Sequence, residues 1–259
     1  MSARFRRPRL VALALAAVIA VAATLLWLRP PTSPPPRAEA DRPPLMLVTS
    51  LPLLFGERLS LEGNGSPALA ALERRYRIVP IGVTDAASLA NGRLLLMAHA
   101  NAQPAQALVD LDRWVREGGH VLLLADPRLE WPSERPLGDA LRPSPMFTDT
   151  GLLGHWGLTL SAPDERGRAE RRLAGRTILT DSPGRLSGHC AISKDALVAH
   201  CRIGKGAATV IADADFLNRE ALGPASKRNL DALLAELASL EPAARDSASR
   251  STSTGLSTG

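Results

Sequence analysis

Val121 to Ala125 is five apolar residues in a row, directly after an amphipathic stretch closed by Gly118-Gly119. That stretch opens at Pro104 and carries Leu108, Leu111, Trp114 and Val115 at helical spacing on one face. A glycine pair ends a helix because glycine tolerates the left-handed backbone of a C-terminal cap. A strand apolar at every position has no wet face, so it belongs in a parallel sheet with helices on both sides. The alternation recurs along the chain. Leu45 to Thr49 reads as a first strand, and Ser66-Pro67 as an N-cap and first-turn proline of a helix through Arg75. Tyr76 to Pro80 is short and β-like, and Asn91-Gly92 turns the chain into the run Arg93 to His99. The pattern returns at "AATVIADADFL", Ala207 to Leu217, and a last helix spans Ser226 to Leu240 with Ser226 as its N-cap.

Between these parts the character changes. Pro127, Pro132, Pro136, Pro143 and Pro145 punctuate a loop that leads to a short helix near Asp149 to Trp156. "LTL", "RTILT" and two glycine-punctuated runs follow, the signature of antiparallel strands. The expected fold is α/β, a mostly parallel sheet with an antiparallel β insertion.

The 259 residues are 45% hydrophobic and 22% charged, enough for one sizeable core. Leu10 to Leu28 carries no charge. As a helix it would be about 28 Å long, close to the roughly 30 Å hydrocarbon core of a bilayer. Arg4, Arg6, Arg7 and Arg9 precede it and Trp27 stands at its far end, so the positive-inside rule puts the N-terminus in the cytoplasm and the rest across the membrane. The alternative is a cleaved signal peptide, for which Ala38-Glu39-Ala40 has the small-x-small form; the apolar run is longer than secretory segments usually are, and proline-rich sequence separates it from that cut site. Arg6-Arg7 as a twin-arginine export signal is weaker still.

The expected organisation is a basic cytoplasmic segment (1–9), an anchor (10–28), a stiff linker with seven prolines (29–44), one α/β domain (45–241) and a polar tail (242–259) with little to bury. Such a chain would be a single-pass protein of a bacterial inner membrane, its domain in the periplasm. Residues 1–44 hold seven arginines and two acids, which accounts for the whole net charge of +5. The remainder is neutral. Without a basic face, and with one tyrosine and four phenylalanines, a nucleic-acid partner is not expected.

Ligands of open α/β sheets sit at the carboxyl ends of the parallel strands. That draws attention to Asp126, ending one expected strand, and to Asp213 and Asp215, ending another and sharing a face because side chains alternate along a strand; if the two strands are neighbours, the three carboxylates converge. Three carboxylates there could hold Mg²⁺ or Ca²⁺, or act as acid and base. The plainer reading is that each caps the turn after it, as Asp-Pro and Asp-x-Asp-Phe-Leu at loop starts do. No metal or cofactor is assigned.

Cys190 and Cys201 lie in a hairpin-like stretch that turns near Asp195 and Ala196, where they would stand opposite each other. A cross-strand disulfide and two unpaired buried thiols both fit. A zinc site of His189, Cys190, His200 and Cys201 is disfavoured, because neighbours on a strand point to opposite faces. His99 and His120 at strand ends and His155 beside Trp156 read as structural. Ile203 to Ala207, "IGKGA", lacks the rest of a phosphate loop and reads as a hairpin turn. No G-x-S-x-G is present, and neither cysteine follows a parallel strand.

The order of "LMLVTSLPLLFG", "ALERRYRIVPIGV", "RLLLMAHA", "LVDLDRWVREGGHVLLLADP" and "GKGAATVIADADFLN" resembles the class I glutamine-amidotransferase-like domains of uncharacterised ABC-type transport systems, the group related to the gliding-motility protein GldG. The resemblance covers roughly residues 45 to 240. It implies a flavodoxin-like fold outside the membrane on one transmembrane helix. In true amidotransferases the strand matching Val121 to Ala125 leads into the turn that bears the catalytic cysteine; here Asp126-Pro127 occupies that turn, so the activity is not carried over. The resemblance implies a noncatalytic binding domain, an auxiliary of an ABC permease and ATPase or of another envelope assembly. The alternatives are a metal-assisted hydrolase using Asp126, Asp213 and Asp215, and a structural spacer.

Overall fold

The computed structural model describes residues 34–54, 66–136, 138–139 and 141–242, all within the unit running from Ser33 to Gly259. The expected segments 1–9 and 10–28, the start of the linker and the tail beyond 242 lie outside the described residues. The described residues form eleven strands and six helices: β1 (Pro44–Thr49), α1 (Pro67–Glu73), β2 (Arg77–Pro80), α2 (Ala86–Leu89), β3 (Leu94–Ala98), α3 (Ala105–Arg116), β4 (His120–Leu124), α4 (Leu152–His155), β5 (Leu158–Ser161), β6 (Arg168–Leu173), β7 (Arg176–Asp181), β8 (Arg185–Gly188), β9 (Ala191–Ile192), β10 (Val198–Ile203), β11 (Gly206–Ile211), α5 (Arg219–Leu222) and α6 (Ala225–Leu240).

One seven-stranded sheet has the order β2-β1-β3-β4-β11-β10-β9. The first five strands run parallel, and β10 and β9 are added antiparallel at the far edge. The central strands are apolar on both faces because both faces are covered. Leu94, Leu96, Leu122 and Leu124 pack with Ala232, Leu233 and Leu237 of α6, whereas Leu95, Met97, Val121 and Leu123 pack with Leu111 and Val115 of α3. Truncating one of these leucines to alanine costs about 2–5 kcal/mol. Two glycines let the end of α3 sit on the sheet: Gly118 takes a φ of +106°, and a β-carbon on Gly206 would lie 2.1 Å from the Gly119 carbonyl oxygen.

The expected architecture, a flavodoxin-like mostly parallel sheet with a separate antiparallel insertion behind one transmembrane helix, is corrected. The sheet is mixed. Gly204-Lys205 is too short a connection for anything but an antiparallel return, so β10 doubles back along β11 and becomes part of the main sheet. The remaining antiparallel strands form two small sheets of their own, β5 with β8 and β6 with β7. No helix among the described residues is long and apolar enough to cross a membrane. The single-pass inner-membrane, periplasm-facing placement is therefore withdrawn, and Leu10 to Leu28, on which it rested, lies outside the described residues.

The described part of the proline-rich stretch is tied to the domain. The Arg37 N–H donates to the Arg74 carbonyl, Arg75 Nη1 donates to the Pro35 carbonyl, and Arg37 forms a two-pronged ion pair with Glu241 at 2.6 and 3.0 Å. Tyr76 Oη donates to the same carboxylate at 2.7 Å. Burial, then the hydrogen bond to Glu241, pushes the Tyr76 phenol above its usual range.

Candidate functional site

Asp126 follows β4 by two residues, and Asp213 follows β11 by the same interval. Asp215 begins a short 3-10 turn, Asp215–Leu217. All three are buried, at 0, 0 and 2% exposure. The side-chain alternation expected of Asp213 and Asp215 does not bring them together, because β11 stops at Ile211 and Ala214 leaves the extended conformation with φ −136° and ψ −14°. A turn does so instead. The Ala214 N–H donates to Asp126 Oδ2 at 2.8 Å, the Phe216 N–H to Asp213 Oδ1 at 3.2 Å, and Thr180 Oγ1 to Asp213 Oδ2 at 2.6 Å. Pro127 has no N–H, so the first backbone donor after Asp126 is Arg128, which closes on Asp126 Oδ1 at 2.8 Å. The Glu130 N–H reaches Asp215 Oδ2 at 2.7 Å. Of the six carboxylate oxygens, only Asp215 Oδ1 is buried with no hydrogen-bond partner.

This packing sets the proton affinities apart. Burial raises Asp126 to about 6 against the N–H groups of Ala214, Arg128 and Asp215, which pull it down. Burial, then the negative charge of Asp126, raises Asp215 to about 8, with Asp181 and Glu130 adding to the rise. Burial and the Asp126 charge also push Asp213 well above the usual carboxylate range. At neutral pH the cluster thus holds an ionised Asp126 beside a protonated Asp215. Among the described residues no group of three or more histidine, cysteine or acidic side chains is arranged to hold a metal ion. Four of the six carboxylate oxygens accept from backbone N–H groups, and Asp213 Oδ2 accepts from the Thr180 hydroxyl.

The described residues between Pro127 and Phe147 fold back over the cluster. The Phe147 N–H donates to the Asp126 carbonyl at 2.6 Å, Leu129 N–H donates to the Pro145 carbonyl at 2.9 Å, and Leu129 and Trp131 pack on the core. The same segment covers His99, whose Nε2 lies 2.9 Å from the Ser144 carbonyl and whose ring meets Phe147 edge-on at 6.5 Å. Its place directly after an all-apolar run, like that of Asp126, was the signal available in the sequence.

The remaining candidates are elsewhere. Cys190 and Cys201 form a disulfide with Cα atoms 4.9 Å apart, one register step from the His200–Ala191 pair, so neither sulfur is free to bind zinc. His200 Nε2 pairs with the buried Glu236 at 2.8 Å, tying the edge strand β10 to α6. His155 and the indole of Trp156 share Asp112 on α3, and His120 bonds the Leu240 carbonyl. Gly204-Lys205 is a hairpin turn.

No family model matches the chain, and no curated protein matches it. Solved structures match loosely. An exo-β-1,4-mannosidase from Opitutaceae bacterium strain TAV5 is 12% identical with a TM-score of 0.45, over 77% of this chain and 36% of that one. A β-galactosidase from Rahnella sp. R3 is 11% identical with a TM-score of 0.42, over 78% of this chain and 32% of that one. A cytoplasmic protein from Salmonella typhimurium LT2 is 10% identical with a TM-score of 0.49, over 77% of this chain and 100% of that one. The chain spans about a third of the length of the two glycosidases. None of the three is described as a transporter auxiliary or an amidotransferase. The expected role as a membrane-anchored, noncatalytic auxiliary of an ABC-type assembly, which needed a membrane span, is withdrawn: no helix among the described residues is long and apolar enough to provide one.

Proposed function

We propose that this chain is a hydrolase working by proton transfer from a buried carboxyl group, with Asp215 as its general acid. One observation carries the reading: Asp215 is a carboxyl raised to about 8 whose Oδ1 the protein leaves without a partner. Such a group keeps its proton at neutral pH and has an oxygen free to deliver it. Asp126, raised only to about 6, is ionised under the same conditions, and acid–base hydrolysis depends on two titratable groups pushed apart in this way. The proton goes to the leaving-group atom as water adds to the bond being cut, and the Asp126 charge favours the positive charge that develops. Because Arg128 to Trp131 and Phe147 pack over the cluster, those residues must move for a substrate to enter.

The test is hydrolysis of alkyl glycosides and ethyl esters, whose leaving alcohols need a proton, at neutral pH with a chelator present. Turnover that D215N lowers by about 100-fold or more, the scale of a lost general acid, supports the reading. No turnover by the unaltered chain, or turnover that the chelator abolishes, contradicts it.

A further inference from the structure

The proton of Asp215 has a place that the covering residues fix. The Glu130 N–H donates to Asp215 Oδ2 at 2.7 Å. In a neutral carboxyl group the carbonyl-type oxygen accepts and the other oxygen carries the proton, so the proton of Asp215 sits on Oδ1. Oδ1 is buried and has no hydrogen-bond partner. A buried donor left unfilled in this way is one that a ligand completes.

Glu130 is itself held. Its Oε1 accepts from Arg128 Nε at 2.8 Å and from the Ser182 hydroxyl at 3.2 Å. Ser182 is fully buried, and its φ of +44° lies in the left-handed region, a conformation that persists where a side chain has to be aimed. Ser182 Oγ accepts from the Gly167 N–H at 2.9 Å, which leaves its single proton for Glu130. The Arg128 N–H closes on Asp126 Oδ1, so the Arg128–Glu130 ion pair spans two aspartates of the site, each through one backbone N–H. The charges that bear on Asp215 are those of Asp126, Asp181 and Glu130, and Asp213 and Asp215 stand close enough to repel when both are ionised. Each of these carboxylates favours the protonated form of Asp215. Arg128 offsets part of the Glu130 charge.

We propose that Glu130 is the positioning residue of the acid: its N–H claims Oδ2 and so leaves the proton on Oδ1, and its carboxylate, anchored by Ser182, holds that proton until the substrate takes it. This rests on the hydrolase reading and names what keeps Asp215 ready at neutral pH. Glu130 acts through Asp215, and no bond to it forms or breaks. In the step itself the Oδ1–H bond breaks, its proton goes to the leaving-group oxygen and the electron pair stays on Oδ1. The oxygen of water forms the bond to the substrate and gives its proton to solvent, from which Asp215 is recharged. The Asp215 carboxylate left in between keeps the Glu130 N–H, now as a stronger hydrogen bond to a charged acceptor.

The experiment follows backbone amides and the Asp215 carboxyl of the full chain by NMR across pH. The Glu130 amide should shift with a midpoint near 8, that of the carboxyl it donates to, whereas the Arg128 amide should follow Asp126 near 6. E130Q keeps the N–H and an acceptor for Ser182 but removes the charge, and the Asp215 midpoint should fall by about half a pH unit, the scale left once Arg128 and solvent screen a partly exposed carboxylate. S182G removes the anchoring hydroxyl with a residue at ease in left-handed backbone, and should lower the midpoint in the same direction. With the alkyl glycosides and ethyl esters, the alkaline limb of kcat in E130Q should move down by the same amount while KM stays within about threefold. A Glu130 amide that stays flat while the Asp215 carboxyl titrates, or an Asp215 midpoint unchanged in both variants, overturns this inference and leaves the hydrolase reading in place. Absence of turnover in the unaltered chain removes the hydrolase reading, and the amide and carboxyl titrations still decide the place of the proton.

Discussion

Replacing Asp215 by asparagine should make the protein more stable in mildly alkaline solution, although it removes a charged group. An unfolded chain loses this proton near 3.8, whereas the fold holds it to about 8. Below about pH 4 both states are protonated and the group contributes its full stability. As pH rises through that window the unfolded state alone gives up its proton, and the fold weakens by about 1.4 kcal/mol per pH unit, to a ceiling of about 6 kcal/mol. Water entering beneath the Pro127 segment reduces this, and a loss of about 2–4 kcal/mol is expected. Asparagine offers the Glu130 N–H the same carbonyl-type acceptor and has no proton to lose. Asp126 loses its own contribution by about 6 and remains in the variant, so the discriminating interval is about pH 6 to 8. Urea unfolding followed by tryptophan fluorescence reads the difference, with Trp131 lying in the covering segment. The unaltered chain should lose more stability across that interval than D215N, in which the buried Asp213 still titrates but Asp215 no longer does. Parallel profiles would refute the reasoning.

Reducing the disulfide opens a loop spanning 11 positions and should cost about 3 kcal/mol by loop-closure entropy, seen as a lower urea midpoint in reductant; an unchanged midpoint would show that the link does not constrain the unfolded chain. The His200–Glu236 hydrogen bond raises the imidazole above its ordinary 6.5, so its contribution is full below that value and is lost as pH rises through the raised one. His200 is half exposed, so the difference between the unaltered chain and H200Q should be under about 1 kcal/mol at low pH and should vanish in mild alkali; a thermal melt series across pH checks it.

The central strands were legible because being buried on both faces leaves a mark that needs no partner to be read: Val121 to Ala125 are apolar at every position. The opposite holds for β6, Arg168–Leu173, whose sequence RAERRL carries charges on both faces. It is a strand because β7 pairs with it and Asp195 accepts the Arg172 N–H at 2.8 Å, neither of which the segment itself announces. Ser226 looked like an N-cap, yet α6 starts one residue earlier with Pro224 at the cap and Ser226 buried. The three aspartates were found from their place at strand ends. What joins them is backbone N–H groups of later turns, Ala214 and Phe216, which no periodicity encodes. His99 was legible as a strand-end histidine, but its left-handed backbone and unfilled Nδ1 exist only once Ser50, Leu124 and Ser144 have fixed it.

The protonation state of Asp215 decides the matter most directly. A carbon-13 titration of its side-chain carboxyl in the full chain should show a midpoint near 8, with the resonance still that of the acid at neutral pH. A midpoint at the ordinary aspartate value, about 4, would leave the site without its acid and contradict the account.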